Sequence, residues 1–87
     1  MEDRETQLLL TREKARKAKE ILESEVMGEV FKAIENQALE AALRVKPDEH
    51  ELRKHHLDKV VVIRELATEL GALVVAGMVA DRQPPTL

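Results

Sequence analysis

The 87-residue chain has no cysteine, tryptophan or tyrosine, and Phe31 is its single aromatic residue. Without cysteine there is no disulfide to staple a small fold, no thiolate to hold a metal and no thiol nucleophile. Its absence also fits a cytosolic product. One ring cannot build the stacking platform that single-stranded nucleic acid needs, and a formal net charge of −3 leaves no basic excess to follow a phosphate backbone. Both facts argue against nucleic acid as the partner. The uncharged run from Leu70 to Ala80 is bounded by Glu69 and Asp81, so it falls short of the roughly 20 apolar residues that a membrane-crossing helix requires. The opening MEDRETQLLL lacks the basic start and long apolar stretch of a signal peptide, which predicts a product that is not secreted by that route.

Catalytic signatures are missing too. No GxxxxGK[ST], GxGxxG or GxSxG segment occurs, which excludes the common phosphate cradles and the nucleophile elbow at the level of motif. His50, His55 and His56 crowd a stretch that also holds Glu49, Glu51 and Asp58. Only His55 and Glu51 have a ligand-like spacing, and neither an HExxH motif nor a second cluster completes a metal site. The plentiful carboxylates show no spacing that singles out an acid/base pair. The chain is expected to be non-enzymatic, with no cofactor and no metal.

What is present is charge, 36% of residues, together with an apolar share of 44% built from Leu, Val, Ala and Ile. Proline occurs only at 47, 84 and 85, so the breakers set the layout. Residues 1–10 read as an N-terminal arm. A first helix over 11–46 starts at Thr11 as N-cap with Glu13 in the first turn, and Gly28 is the one point at which it could break. Pro47 and Asp48 form a turn, and Asp48 with Glu51 has capping-box spacing. A second helix then spans 49–80, including the β-favouring VVVI at 60–63, and 81–87 form an extended tail. Two helices of similar length with a short joint predict an all-α fold, an antiparallel helical hairpin. Its seam is expected along Met27, Phe31, Ile34, Ala38, Ala41 and Val45 on one side, facing Leu52, His56, Ile63, Leu66, Leu70, Leu73 and Gly77.

More apolar residues exist than one seam can bury. Leu22, Val26, Val30, Leu39 and Leu43 lie off the first row, and Val60, Val61, Val74, Val75, Met78 and Val79 off the second. Left in water they would form a larger patch than soluble monomers carry, so the hairpin is expected to form a homo-oligomer or dock on a partner through these residues. The basic stretch TREKARKAKE at 11–20 reads as a solvated helix face. Arg12, Arg16 and Lys19 are its candidate anion contacts.

The arrangement also resembles a class of short helical proteins encoded among the head and packaging genes of tailed bacteriophages. Ala15, Ala18, Ile21 and Leu22 fit the basic opening of that pattern, and Phe31, Ile34, Glu35, Leu39 and Leu43 its central helix. Pro47, Asp48 and Arg53 fit the turn, and Leu66, Leu70 and Gly77 the end. The class often has an aromatic residue near the start of the second helix, where this chain has His55 and His56. The likeness covers 12–77 and implies a structural or assembly protein of a phage particle, found in the host cytoplasm or the virion, with itself or a larger virion component as partner. It implies no catalytic residue. The alternative of another class is a small phage-encoded anti-defence protein that oligomerises and sequesters an anionic ligand or binds a host protein.

Overall fold

The computed structural model describes residues 3–82, and its regular structure is entirely helical: α1 (Arg4–Glu23), α2 (Glu25–Arg44) and α3 (His50–Asp81). The first helix begins well before Thr11. Asp3 is the N-cap, accepting a 2.8 Å hydrogen bond from the Thr6 amide on Oδ1, and its carbonyl accepts from the Gln7 amide at 3.2 Å. A short carboxylate at a helix entrance outcompetes a threonine as a cap, because it satisfies an orphan N–H and also meets the positive end of the helix dipole. Thr11 lies inside the helix, where its hydroxyl donates back to the Gln7 carbonyl at 2.9 Å. The expected arm at 1–10 is therefore helical from Arg4 onward.

The predicted first helix is two helices, and Gly28 is not the break. Gly28 is helical, whereas Ser24 adopts φ −69°, ψ 119° and donates its amide to the Ile21 carbonyl at 3.2 Å. Ser24 is the only serine in the chain, and serine favours helix ends because its hydroxyl competes for nearby backbone groups. The inward-facing rows show what the break accommodates. In α1 that row is Leu8, Thr11, Ala15 and Ala18; continued at the same spacing it would reach Leu22, Glu25 and Glu29, all exposed. The row in α2 is instead Gly28, Phe31, Glu35, Ala38 and Ala42, displaced by one residue, with Val45 just beyond the helix end.

Residues 45–49 connect α2 to α3. The Glu49 amide donates to the Lys46 carbonyl, and the Arg53 amide to the Glu49 carbonyl, at 3.0 and 3.2 Å. Glu49 thus accepts the first bond of α3 and occupies the capping position expected of Asp48. The Arg53 guanidinium adds a 3.0 Å bond to the Lys46 carbonyl and lies 3.3 Å from His50 Nδ1, tying the turn to the first turn of α3. The 60–63 run is helical within α3, where its period-seven context overrides the β preference of valine.

Contacts divide the chain into two compact units, the described parts of Met1–Ser24 with Thr68–Leu87, and Glu25–Ala67. In the first, α1 meets the last part of α3. The join is close because Gly77 has no side chain: a Cβ there would collide with the Cβ of Ala15. Ala18 and Ala80 are buried beside it. In the second, α2 meets the first part of α3 over Ala38, Ala42 and Val60, and Arg64 reaches Glu35 Oε1 through Nε at 3.0 Å and Nη2 at 2.6 Å.

The inward row of α3 runs through Arg53, His56, Val60, Ile63, Ala67, Leu70, Val74 and Gly77, in alternating steps of three and four. His56, Ile63, Leu70 and Gly77 are as expected. Leu52, Leu66 and Leu73 are not inward; each sits one residue before a seam position and is exposed. Ile34 is displaced likewise by Glu35. At 67 and 74 the seam takes residues smaller than the adjacent leucines, which lets the helices approach closely, whereas at 53 and 35 it takes Arg and Glu.

Candidate functional site

Most of the large apolar side chains are outside the seams. The buried apolar residues among those described are Ala18, Ala38, Ala42, Val60 and Ala80, and no large side chain is fully enclosed. Of the residues expected to bind a partner, Leu22, Val26, Val30, Leu39, Leu43, Val61, Val75, Met78 and Val79 are exposed. Val60 and Val74 are placed differently. Val60 is 5% exposed and Val74 is half-buried, so both belong to seams within the chain. The three-four spacing through His56 and Ile63 lands on 60, 67 and 74, one residue beyond Leu66 and Leu73.

The unit Glu25–Ala67 carries two apolar flanks. Leu39, Leu43, Leu57 and Val61 each follow an inward residue by one position, and the first three line one groove with Ala42, Val45 and Arg53. Val30, Ile34, Val62 and Leu66 each precede an inward residue by one, and Ile34, Val62 and Ile63 line a second groove with His55, Asp58 and Lys59. At about 100° per residue, one position before and one position after the seam are opposite sides of the helix pair. Ile34 and Leu66, expected in the seam, are exposed, as are Leu57 and Val62. Their signal was adjacency to a seam residue, readable only once the seam is placed.

The other unit differs on the corresponding flank. Arg12, Arg16 and Lys19 come together along one groove, with Ala15, Val74, Gly77, Met78 and Asp81 as its remaining lining. Each cation has a carboxylate beside it. Arg12 Nη2 donates to the Ala80 carbonyl at 3.0 Å, and Nε lies 2.9 Å from Asp81 Oδ1 without the alignment of a hydrogen bond. The guanidinium thereby faces the negative end of α3, a favourable place for a cation. Arg16 bonds Glu13 and Glu20, and Lys19 lies 3.8 Å from Glu23. The hydrogen bond from Arg16 holds the Glu13 carboxyl below its ordinary range, and the same bond raises the Arg16 guanidinium above its own. Glu13 also lies 3.9 Å from Lys17, four positions along the helix. An anion entering this groove would compete with carboxylates already in place.

The histidines do not converge on a metal site. The His55 and His56 rings stand edge to face with centroids 5.6 Å apart, and His50 turns to Arg53. Among the described residues, no three His, Asp or Glu side chains gather as a metal site would require. Nor is any described helix long and apolar enough to cross a membrane. No family model, curated protein or solved structure matches the chain.

Proposed function

We propose that the chain is a non-enzymatic helical assembly protein, a structural or assembly component of a phage particle whose antiparallel helical pairing presents apolar flanks for oligomerisation or for docking on a larger virion component. One observation carries the association: the seams enclose mainly alanine and glycine, while Val26, Val30, Leu43, Val61, Val62 and Val75 remain in water. Among the described residues the buried apolar side chains are four alanines and one valine, a thin core, and a small fold without cysteine gains stability by associating. The phage setting comes from the resemblance across 12–77.

Light scattering coupled to size exclusion tests the association. A mass above one chain, with a melting midpoint that rises with protein concentration, is expected, because folding and assembly are linked by mass action. A single-chain mass with a concentration-independent midpoint would sink the proposal. Mass spectrometry of purified particles, searching for this chain, tests the virion setting. The alternative, a sequestering anti-defence protein, would rest on Arg12, Arg16 and Lys19, and the carboxylates beside all three favour the assembly reading over it. With no Trp or Tyr to mask it, a co-purifying nucleotide would declare itself by ultraviolet absorbance.

A further inference from the structure

We infer that α1 exchanges between two copies of this chain: it leaves its own α3 and docks in the same way on residues 68–81 of the second copy, while Ser24 becomes helical and α1 runs on into α2. What covers the 68–81 face is already on view. α1 does so, through Ala15 against Gly77 and through Arg12 on the Ala80 carbonyl and beside Asp81. The α1 of a second copy carries the same residues, so an exchange between two chains keeps each of these contacts. It uses none of the apolar flanks and therefore goes beyond the assembly reading above.

The first support is the joint. Ser24 is the single residue between α1 and α2, and its φ of −69° is already that of a helix; only ψ, at 119°, has to turn, to about −42°. In the single chain its amide reaches back three residues to Ile21, and a continuous helix restores the backbone hydrogen bonds that an interruption forfeits. The second support is phase. The rows of α1 and α2 are one residue out of step, which in a continuous helix is about 100° around the axis. With α2 on its own α3, a straightened α1 turns Leu8, Thr11, Ala15 and Ala18 aside, toward a neighbour. The third support is the hold of the seam that opens. α1 packs with the described residues from Thr68 onward and α2 with those before, so α1 can leave without dismantling the other pair. Ala18 and Ala80 are the buried apolar residues described in that unit, and segments with few buried apolar contacts are those that open locally before the whole chain unfolds.

Equal amounts of isotope-labelled and unlabelled full-length chain, unfolded together and refolded at high protein concentration, test the exchange. Light scattering should show a species of at least two chain masses. Isotope-filtered NMR of that species should place the Ala15 methyl group against Gly77 of the other copy, a contact that flank-to-flank association would leave within each chain. Two variants read the joint. Ser24→Ala favours helix at this position in both copies and should raise the dimerisation constant about fivefold, whereas Ser24→Gly should lower it by a similar factor. Neither touches a seam residue, so both should keep the helical circular dichroism of the parent. An assembly whose Ala15–Gly77 contacts all lie within one chain, or a dimerisation constant that does not follow helix propensity at 24, overturns the exchange and leaves the assembly reading standing. A parent chain found at one chain mass after refolding overturns both.

Discussion

α1 against Thr68–Asp81 and α2 against His50–Ala67 use the same three-four spacing of inward residues, yet the two pairs are filled and flanked differently. The first closes on Gly77 against Ala15, and one flank carries Arg12, Arg16 and Lys19 among their carboxylates. The second admits one larger residue, Val60, and a Glu35–Arg64 ion pair, and both its flanks are apolar. Equal seams suffice for helices to pair. The residues one position to either side are what distinguish the pairs: salt-bridged charges on a flank of the first, exposed Leu, Ile and Val on both flanks of the second.

Removing Val60 attacks the larger-residue seam. Val60→Ala should cost about 2 kcal/mol, from two buried methyl groups and the space they leave. Amide exchange followed by NMR should show the protection loss concentrated in Glu25–Ala67. Equal losses throughout the chain would mean that the two units unfold together and that their comparison holds for composition only.

Glycine substitutions sharpen the contrast through their sign. Gly77→Ala gains helix propensity of about 1 kcal/mol but must push α1 away at Ala15, an overpacking cost of about 1–3 kcal/mol, so denaturant titration should show a net loss near 1 kcal/mol. At Gly28 an added Cβ meets nothing within 4 Å, and Gly28→Ala should gain up to about 1 kcal/mol. Should Gly77→Ala stabilise as Gly28→Ala does, the close approach of the first pair is not tight.

The Glu35–Arg64 pair should matter less than either seam. Arg64 is mostly exposed, and ion pairs near the surface contribute about 0.2–1 kcal/mol. Glu35→Gln is expected to lower stability within that range, by an amount that shrinks as salt is raised from low to about 1 M. Thermal melts of parent and variant across that salt series make the measurement.

The smallest effect belongs to Asp3. The hydrogen bond from the Thr6 amide holds its carboxyl below the ordinary value, so its stabilising contribution is complete above the unfolded carboxyl's pKa and is lost as pH falls through the folded one. Amide exchange at Thr6 and Gln7 should quicken in Asp3→Ala at neutral pH, and parent and variant should converge only once pH has fallen below the depressed pKa of the folded Asp3 carboxyl. Exchange elsewhere in the chain should not change.

Much of this architecture was legible beforehand. Scarce prolines and three-four spacing on both sides of Pro47 pointed to helix, and Pro47-Asp48 marked the reversal, because a ring that lacks an N–H disfavours helix on any chain. The surplus of Leu and Val beyond one seam was countable, so exposed apolar side chains could be anticipated from the sequence. The break at Ser24 was harder: serine's preference for helix ends is weak, and the one-residue shift between the rows of α1 and α2 has no cause within either helix alone.

Which residues form the seam was decided by tertiary structure. Leu66 and Leu73 are better hydrophobes than Ala67 and Val74, and pattern reading favours them. Packing instead rewards the row whose small members let helix axes approach, and that depends on the residues opposite: Ala15 facing Gly77, Glu35 within reach of Arg64. The basic strip shows the same division. Its charges and their i, i+4 carboxylates follow from sequence, but Arg12 at the end of α3 joins residues 68 positions apart, and only the folded chain brings them together.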